Sequence, residues 1–290
     1  MNYRLIFSIA KSLLLARWKQ TLVAAIGVTF SITMFITLLS FMTGLNDLLD
    51  GLILNRTPHV RLYNDIKPNK NQPVDLSGDY ANSYNFIQSV KSGNSRQELY
   101  NSGAIIQAVS KDDRVLGLAP KINAQVFFND GSISITGIVN GIDIQAENKL
   151  FFFTDYVTAG NSMDIKNVAN SIILGKGLAE KLIADIGDVV QISTAKGEIF
   201  SLKVVGFFQS GLLEFDKTQS FASISTVQKI LGKTSNYITD IQIKLKDVTQ
   251  APPIAVEFNR LFGVDAEDIQ TANSQFETGS SIRKLIAYAV

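Results

Sequence analysis

A glycine is followed directly by a lysine at two places in the chain, and such pairs can form phosphate-binding loops. Gly232-Lys233-Thr234 resembles the end of such a loop, but the loop requires a glycine five residues before its second glycine, and Val227 occupies that position. In Gly175-Lys176-Gly177, neither Ser nor Thr follows the lysine. Both are interpreted as glycines that start or end helices. We therefore expect no nucleotide site and no cofactor in this chain.

Metal and acid–base chemistry have few candidate residues. The chain has no cysteine, which excludes disulfides, thiolate catalysis and Cys-based zinc sites, and its one histidine is His59. His59 is predicted to be a polar turn residue. The carboxylates Asp112-Asp113, and Glu214 with Asp216, occur in turn-like contexts and are predicted to be solvated, because acid–base catalysis needs a shared cleft. We predict no metal site, no catalytic residues and no enzymatic activity.

The run from Thr21 to Leu45 contains 25 residues and no charged side chain. As a helix it would extend roughly 37 Å, enough to cross a hydrocarbon core of about 30 Å with some tilt. The apolar run of a signal peptide usually covers only about 7 to 15 residues. The sequence therefore predicts a retained transmembrane helix rather than a signal peptide or a buried helix of a soluble domain.

Charge around this run predicts its orientation. Lysine and arginine precede it without any acid, and Asp47 and Asp50 follow it, so the positive-inside rule places the N-terminus in the cytoplasm. Residues 1–18 either form an amphipathic helix on the inner membrane surface or simply continue into the membrane helix. With 27 Lys plus Arg against 26 Asp plus Glu, nothing suggests nucleic acid as a partner.

The remainder predicts a mixed α+β domain. Helical spacing of leucines extends the membrane helix outward as a stalk that ends before Pro58. Residues 65–101 are polar and are predicted to form an irregular segment on the surface of the domain. Two alternating runs around Asn129-Asp130-Gly131 predict a hairpin, and residues 171–232 alternate strands with helices, with Ser225 as a helix cap. A strand in ITDIQIKLK and a helix in PPIAVEFNRLFG follow, so α+β is favoured over a doubly wound parallel sheet.

Three segments in this order resemble the permease subunits of the MacB/FtsX/LolCE superfamily of ABC transporters. They are GLNDLLDGLILNRTPHVRLYN, YVTAGNSMDIKNVANSIILGKGLAEKLIADIGDVVQIS and VVGFFQSGLLEFDKTQSF, with family-like glycines at 160, 175, 187, 206 and 211 and with Asp216. The similarity is closest to the lipoprotein-releasing permeases. The apolar residues after Lys284 resemble the start of a second transmembrane helix, so the sequence is expected to be truncated there, unless Val290 is a true terminus.

The resemblance implies an organisation and a set of partners. Residues 19–55 would form the first transmembrane helix and stalk, 56–155 with 240–272 one periplasmic lobe, 156–239 a second lobe, and 273–290 a stalk and the next helix. A separate cytoplasmic ATPase subunit would bind ATP, and a second permease subunit would complete a homo- or heterodimer in a bacterial inner membrane. Lipoprotein cargo would touch the outer end of the first helix, at Phe35, Leu38, Leu39, Phe41 and Met42.

One departure from the lipoprotein-releasing pattern keeps alternatives open. Those permeases carry a longer, proline-containing loop after the Gly-Asp turn, which in one subunit hooks a periplasmic carrier, whereas this chain has a short connection over 194–198. The chain would then be the non-hooking partner or a relative with another cargo. An efflux-type or division-type permease, and a single-pass periplasmic binding or scaffold protein, remain alternative functions.

Overall fold

The computed structural model describes residues 3–69, 72, 74, 76–80, 83, 84, 90, 97–130 and 133–272. The predicted features at 273–290, and most of those between 70 and 96, lie outside this description. The chain divides into an N-terminal unit that runs to Ile53 and a second unit that begins at Leu54.

The N-terminal unit is helical. Helix α1 covers Tyr3–Ala16 and helix α2 covers Trp18–Arg56, with a break at Arg17. Residues Trp18–Gly44 of α2 have a mean hydropathy of 2.3 and bury none of their side chains, so this stretch is long and apolar enough to cross a membrane. The hydroxyls of Ser31, Thr37 and Thr43 donate to carbonyl oxygens four residues earlier, which satisfies them without water. A helix over the predicted run, extended to Arg56 just before Pro58, is confirmed, and its crossing of a membrane stays a prediction.

The second unit contains strands and short helices in alternation. Its strands are β1 (Val60–Tyr63), β2 (Val115–Asp130), β3 (Ile133–Ile142), β4 (Val157–Gly160), β5 (Ser171–Gly175), β6 (Val189–Thr194), β7 (Ile199–Phe208), β8 (Gln219–Ser223), β9 (Asp240–Leu245) and β10 (Asp265–Asp268). Its helices are α3 (Ser102–Ser110), α4 (Ile144–Phe151), α5 (Asp164–Asn167), α6 (Lys176–Leu182), α7 (Leu213–Asp216), α8 (Ile224–Ile230), α9 (Ala251–Phe262) and α10 (Ile269–Ala272). The mixed α+β class is confirmed.

All described strands belong to one sheet, and part of it closes into a ring. The strand order is β10-β1-β9-β2-β3-β8-β5-β7-β4, and β6 pairs with both β2 and β7. The long strand β2 pairs with β9 through its first half and with β6 near its end. The pairings β2-β3-β8-β5-β7-β6 therefore return to β2, as in a small barrel. Because β2 and β3 pair with strands of both predicted lobes, the division into two lobes stays a prediction.

Several local predictions are confirmed and two are wrong. Strands β2 and β3 form the predicted hairpin, with Asp130 paired to Ile133 and Gly131 outside the described residues, and Gly263 ends α9 with a positive φ of 65°. Ser223, not Ser225, caps α8, since its side chain accepts from the backbone N–H of Thr226. His59 is only 6% exposed. Its Nδ1 accepts from the backbone N–H of Leu245 at 3.2 Å, so the side chain is buried against β9, although His59 itself stands at the bend before β1.

An aromatic cluster packs against strands of the ring. Phe221 packs edge-to-face against Phe153 and Phe208, with ring centroids 4.7 and 4.8 Å away. Ile142, Ile165 and Ile173 complete the same cluster. The connection from β6 to β7 is a tight turn, in which the Gly197 N–H donates to the Thr194 carbonyl at 2.9 Å. The short 194–198 connection expected from the sequence is therefore confirmed.

Candidate functional site

The predicted contact residues on α2 do not share one face. Leu38 and Phe41 line a shallow groove together with Phe30, Thr33, Met34 and Thr37. Phe35, Leu39 and Met42 follow one another at spacings of four and three, which places them on the neighbouring face of the helix. Leu38 and Phe41 are 56% and 65% exposed, so the groove face is available for contact.

A second candidate site, which the sequence did not indicate, is a cavity of about 350 Å³ in the second unit. One wall is aromatic and consists of Phe151, Phe153, Tyr156, Phe208, Phe215 and Phe221. Its polar residues include Arg56, Lys121, Glu147 and Ser210. An apolar cavity of this size with a few polar groups is the usual form of a small-ligand site.

A fixed loop forms one rim of the cavity. Asp216 Oδ1 accepts from both the backbone N–H and the hydroxyl of Ser210, at 2.8 and 2.7 Å. The Leu212 N–H donates to the same hydroxyl at 3.1 Å. Asp216 is 5% exposed, so the prediction of a solvated charge is wrong for this residue. Because these bonds fix the turn between β7 and α7, they hold Phe208 and Phe215 at the cavity wall.

Glu147 is a buried acid, and one of its carboxyl oxygens has no hydrogen-bond partner in the part of the chain that the structure describes. It is 6% exposed, and the unpartnered oxygen is Oε1. Burial raises the pKa of Glu147, and the nearby positive charge of Lys121 partly opposes this rise. Its helix α4 begins at Asp143, whose side chain accepts from the backbone N–H of Gln145 and Ala146. Glu147 thus stands on a well-capped helix and faces the cavity.

Two cations lie on the aromatic side chains of the cavity. The guanidinium of Arg56 stacks 4.8 Å from the ring centre of Tyr156 and forms an ion pair of 3.1 Å with Asp155. The Lys121 ammonium lies 5.8 Å from the ring centre of Phe221. No ion pair of Lys121 is present among the described residues. The cavity therefore combines an apolar wall with a hydrogen-bond acceptor, Glu147 Oε1, and a hydrogen-bond donor, the Lys121 ammonium, each of which can still bond to a ligand.

Lys244 is buried next to the cavity residue Phe151. It is 6% exposed, its Nζ donates to the Thr57 carbonyl at 3.1 Å, and it lies 5.4 Å from the ring centre of Phe151. Burial disfavours the ammonium form and lowers the pKa of Lys244 to about 8. Since the unfolded chain keeps the ordinary value of 10.5, it binds more protons than the folded chain between these two pH values. The free energy of unfolding must rise as the pH increases through this window.

We expect Lys244→Met to remove this rise. Between pH 8 and pH 10.5, the free energy of unfolding of the wild type should increase relative to that of the variant, by ~1.4 kcal/mol for each pKa unit at most. Chemical denaturation of the full chain at several pH values measures the difference. The exposed neighbour Lys246 supplies the control, because Lys246→Met should give a curve parallel to that of the wild type. Parallel curves for Lys244→Met would contradict the assignment.

The glycine–lysine pairs and the carboxylate Asp112, which were candidates in the sequence, lie at helix ends, at a strand end or in an ion pair. Gly232 has a positive φ of 60° at the end of α8, and Lys233 lies 5.0 Å from the ring centre of Tyr237. Gly175 ends β5 and precedes α6. Asp112 forms an ion pair of 2.6 Å with Arg114, which lowers the pKa of the carboxyl. Among the described residues, no group of three or more His, Cys, Asp or Glu side chains could hold a metal ion.

Comparison with known proteins gives one family match and several relatives. The family model of the MacB-like periplasmic core domain matches residues 21–261. The lipoprotein-releasing system transmembrane protein LolC of Neisseria meningitidis serogroup B is 25% identical over 245 residues, which are 81% of this chain and 51% of that protein. LolC of Xylella fastidiosa is 28% identical over 153 residues, 50% of this chain and 36% of that protein. The chain thus spans about half of the length of the first relative.

Two solved structures are also similar. The periplasmic region of MacB from Actinobacillus actinomycetemcomitans matches with a TM-score of 0.48 and 13% identity, and covers 78% of this chain and 94% of that one. The extracellular domain of the noncanonic ABC-type transporter YknZ from Gram-positive bacteria matches with a TM-score of 0.45 and 13% identity. This match covers 72% of this chain and 99% of that one.

Proposed function

The chain belongs to the family of the MacB-like periplasmic core domain, within the ABC transporter permeases of the MacB and LolC type, and we propose that it serves lipoprotein release. In this proposal it is a permease subunit that moves lipoproteins out of a bacterial inner membrane toward the outer membrane. The observation that carries the proposal is the similarity to LolC, a lipoprotein-releasing protein by name, over 81% of this chain.

The energy for release would come from another subunit. Family members are permeases that work with ATPase partners, and neither glycine–lysine pair of this chain meets the requirements of a phosphate-binding loop. The proposed complex contains a cytoplasmic ATPase and a second permease chain. Helix α2 would cross the membrane with α1 on the cytoplasmic side, and the unit after Leu54 would lie in the periplasm. A carrier contact at the short 194–198 turn is not part of the proposal.

Lipoprotein acyl chains would enter at the outer end of α2. The groove face with Leu38 and Phe41 is apolar and exposed, and Phe35, Leu39 and Met42 extend the apolar surface beside it. The groove also contains Thr37, whose hydroxyl is already bonded to the Thr33 carbonyl at 2.8 Å. The surface therefore offers van der Waals contact to hydrocarbon chains without an unsatisfied polar group at Thr37.

A photoreactive benzoylphenylalanine at Leu38 tests this function. In cells, the Leu38 variant should crosslink to lipoproteins, whereas the same residue at Val23, also exposed but near the other end of the apolar stretch, should capture phospholipid only. Mass spectrometry of the purified adducts identifies what is bound. Lipoproteins trapped equally at both positions would contradict the contact site, although not the cargo.

Purification in mild detergent separates the alternative functions. A co-purified ATPase and lipoprotein would support release, and depletion of the protein should then leave lipoproteins in the inner-membrane fraction. Co-purification of a periplasmic adaptor without any lipoprotein would support the efflux-type alternative. The match to the MacB-like family model favours this alternative. A cell-wall hydrolase would support the division-type permease. If no ATPase co-purifies, the single-pass periplasmic binding or scaffold protein would be the function that the result supports.

A further inference from the structure

The aromatic cavity of the second unit carries chemistry that the proposed transport function does not use. Its wall of phenylalanine and tyrosine rings ends at a buried carboxyl group, Glu147, whose Oε1 has no partner among the described residues. An unpartnered buried acceptor costs roughly 1–3 kcal/mol in a folded protein. Such a cost is understandable if a ligand supplies the missing hydrogen bond.

The charges of the cavity restrict the ligand's polar group. A full positive charge would be repelled by Arg56 and Lys121, and a carboxylate has no N–H or O–H group to donate to Glu147 Oε1. A neutral group with both a donor and an acceptor avoids both penalties. The amide is such a group, because its N–H can reach a carboxyl oxygen while its carbonyl oxygen accepts from an ammonium.

We propose that this cavity binds the amide of an acylated peptide, with the acyl chain against the aromatic wall, the amide N–H bonded to Glu147 and its carbonyl oxygen to Lys121. The volume of about 350 Å³ is at the lower end of the usual range for ligand pockets, which suits a medium-length apolar chain. The identity of the natural ligand as part of a lipoprotein rests on the proposed function. Binding of the amide itself does not.

Three photoreactive probes with the same eight-carbon chain test the head group. They are N-octanoylglycinamide, octanoic acid and octylamine, each with a diazirine on the chain, and they are added to the full chain in lipid nanodiscs. Peptide mapping by mass spectrometry should show the amide probe attached within 147–156 and 207–221, at least about tenfold more than the acid or the amine. Adducts on α2 report partition into the bilayer and serve as an internal reference.

Variants of Glu147 and Lys121 separate specific binding from general apolar affinity. Glu147→Leu should reduce amide labelling of the cavity at least about tenfold, whereas Glu147→Gln keeps an acceptor and should stay within about threefold of the wild type. Lys121→Met should also reduce the labelling. Glu180→Gln and Lys149→Met change exposed residues and should have no effect. Because Glu147→Leu removes an unpartnered buried carboxyl, it should melt no earlier than the wild type, which excludes unfolding as the cause.

Equal labelling of wild type and Glu147→Leu, or equal labelling by the three probes, would overturn the proposal. The result is distinguishable from a failure of the proposed function. If the amide labels the cavity but no lipoprotein crosslinks at Leu38, the transport function is wrong and the cavity assignment stands. If lipoproteins crosslink at Leu38 but the cavity is unlabelled, only the cavity assignment is wrong.

Discussion

A single cysteine in place of Gln191 is expected to react fully with a membrane-impermeant maleimide added to intact spheroplasts, whereas one in place of Lys11 should stay unreacted. The natural chain contains no cysteine, so each variant carries one reporter without background. Both positions are exposed, on β6 and on α1, so the accessibility of the side chain itself does not differ. The compartment alone should determine the result, and the expected difference is all-or-none.

The physical reason is the charge asymmetry around α2. Arg17 and Lys19 stand at its start, and Asp47 and Asp50 near its end, so the positive-inside rule predicts that the start lies in the cytoplasm. Cysteines in place of Ser8 and Lys149 supply an independent pair on the same two sides. Permeabilised cells should label all four variants, which shows that each thiol can react. If the Lys11 and Ser8 variants are labelled in intact spheroplasts and the Gln191 variant is not, the orientation is the opposite one and the periplasmic assignment is wrong.

Local patterns in the sequence were sufficient to predict several of the individual elements. The uncharged run 21–45 predicted α2, the Asn-Asp-Gly turn predicted the β2–β3 hairpin, and proline and glycine at its ends predicted α9. These signals depend on residues within a few positions of each other. Recognition of the family depended instead on the order of three segments along the chain, and the match over 21–261 confirms it.

The closed ring could not be predicted in this way. It depends on the pairings of β2 with β6 and of β3 with β8, which join residues far apart in the chain. No periodicity within either strand specifies its partner. The burial of His59 and Asp216 was misjudged as well, because it depends on contacts that their immediate neighbours in the chain do not reveal. His59 was interpreted as a polar turn residue and Asp216 as a solvated charge, since those neighbours are polar or turn-forming.

The cavity was missed for a related reason. Glu147 stands among polar neighbours in the helix sequence IQAENKLF, and no local pattern distinguishes a buried glutamate from an exposed one there. Phe151 and Phe208 come from different elements, far apart in the chain, and both line the cavity. One signal was present: Ser210 and Asp216 in QSGLLEFD are six residues apart, at a spacing compatible with a capped turn. The segment that carried much of the family resemblance is therefore the one that builds the cavity rim.

Gly160→Ala is expected to release the edge strand β4 from β7. Gly160 has a positive φ of 84°, and a Cβ atom there would lie 2.2 Å from the Val205 carbonyl oxygen and 2.6 Å from the Cα of Gly206. Both obstacles are backbone atoms of the partner strand, so no side-chain rotation can relieve the overlap. The positive φ adds a cost of about 1–2 kcal/mol and the overlap a further 1–3 kcal/mol. The free energy for opening this strand pair should fall by about 3 kcal/mol.

Hydrogen–deuterium exchange of the full chain measures this opening directly. A fall of about 3 kcal/mol corresponds to exchange of the protected β4 amides that is roughly a hundredfold faster. The effect should extend to the cavity, because the Gln209 N–H donates to the Tyr156 carbonyl at 2.8 Å, just before β4 begins. Gly103→Ala is the matched control, since a Cβ on that glycine of α3 meets nothing within 4 Å. Unchanged β4 exchange in Gly160→Ala would mean that β4 can move away from β7 without loss. The glycine would then not be what holds the edge strand and the aromatic wall together.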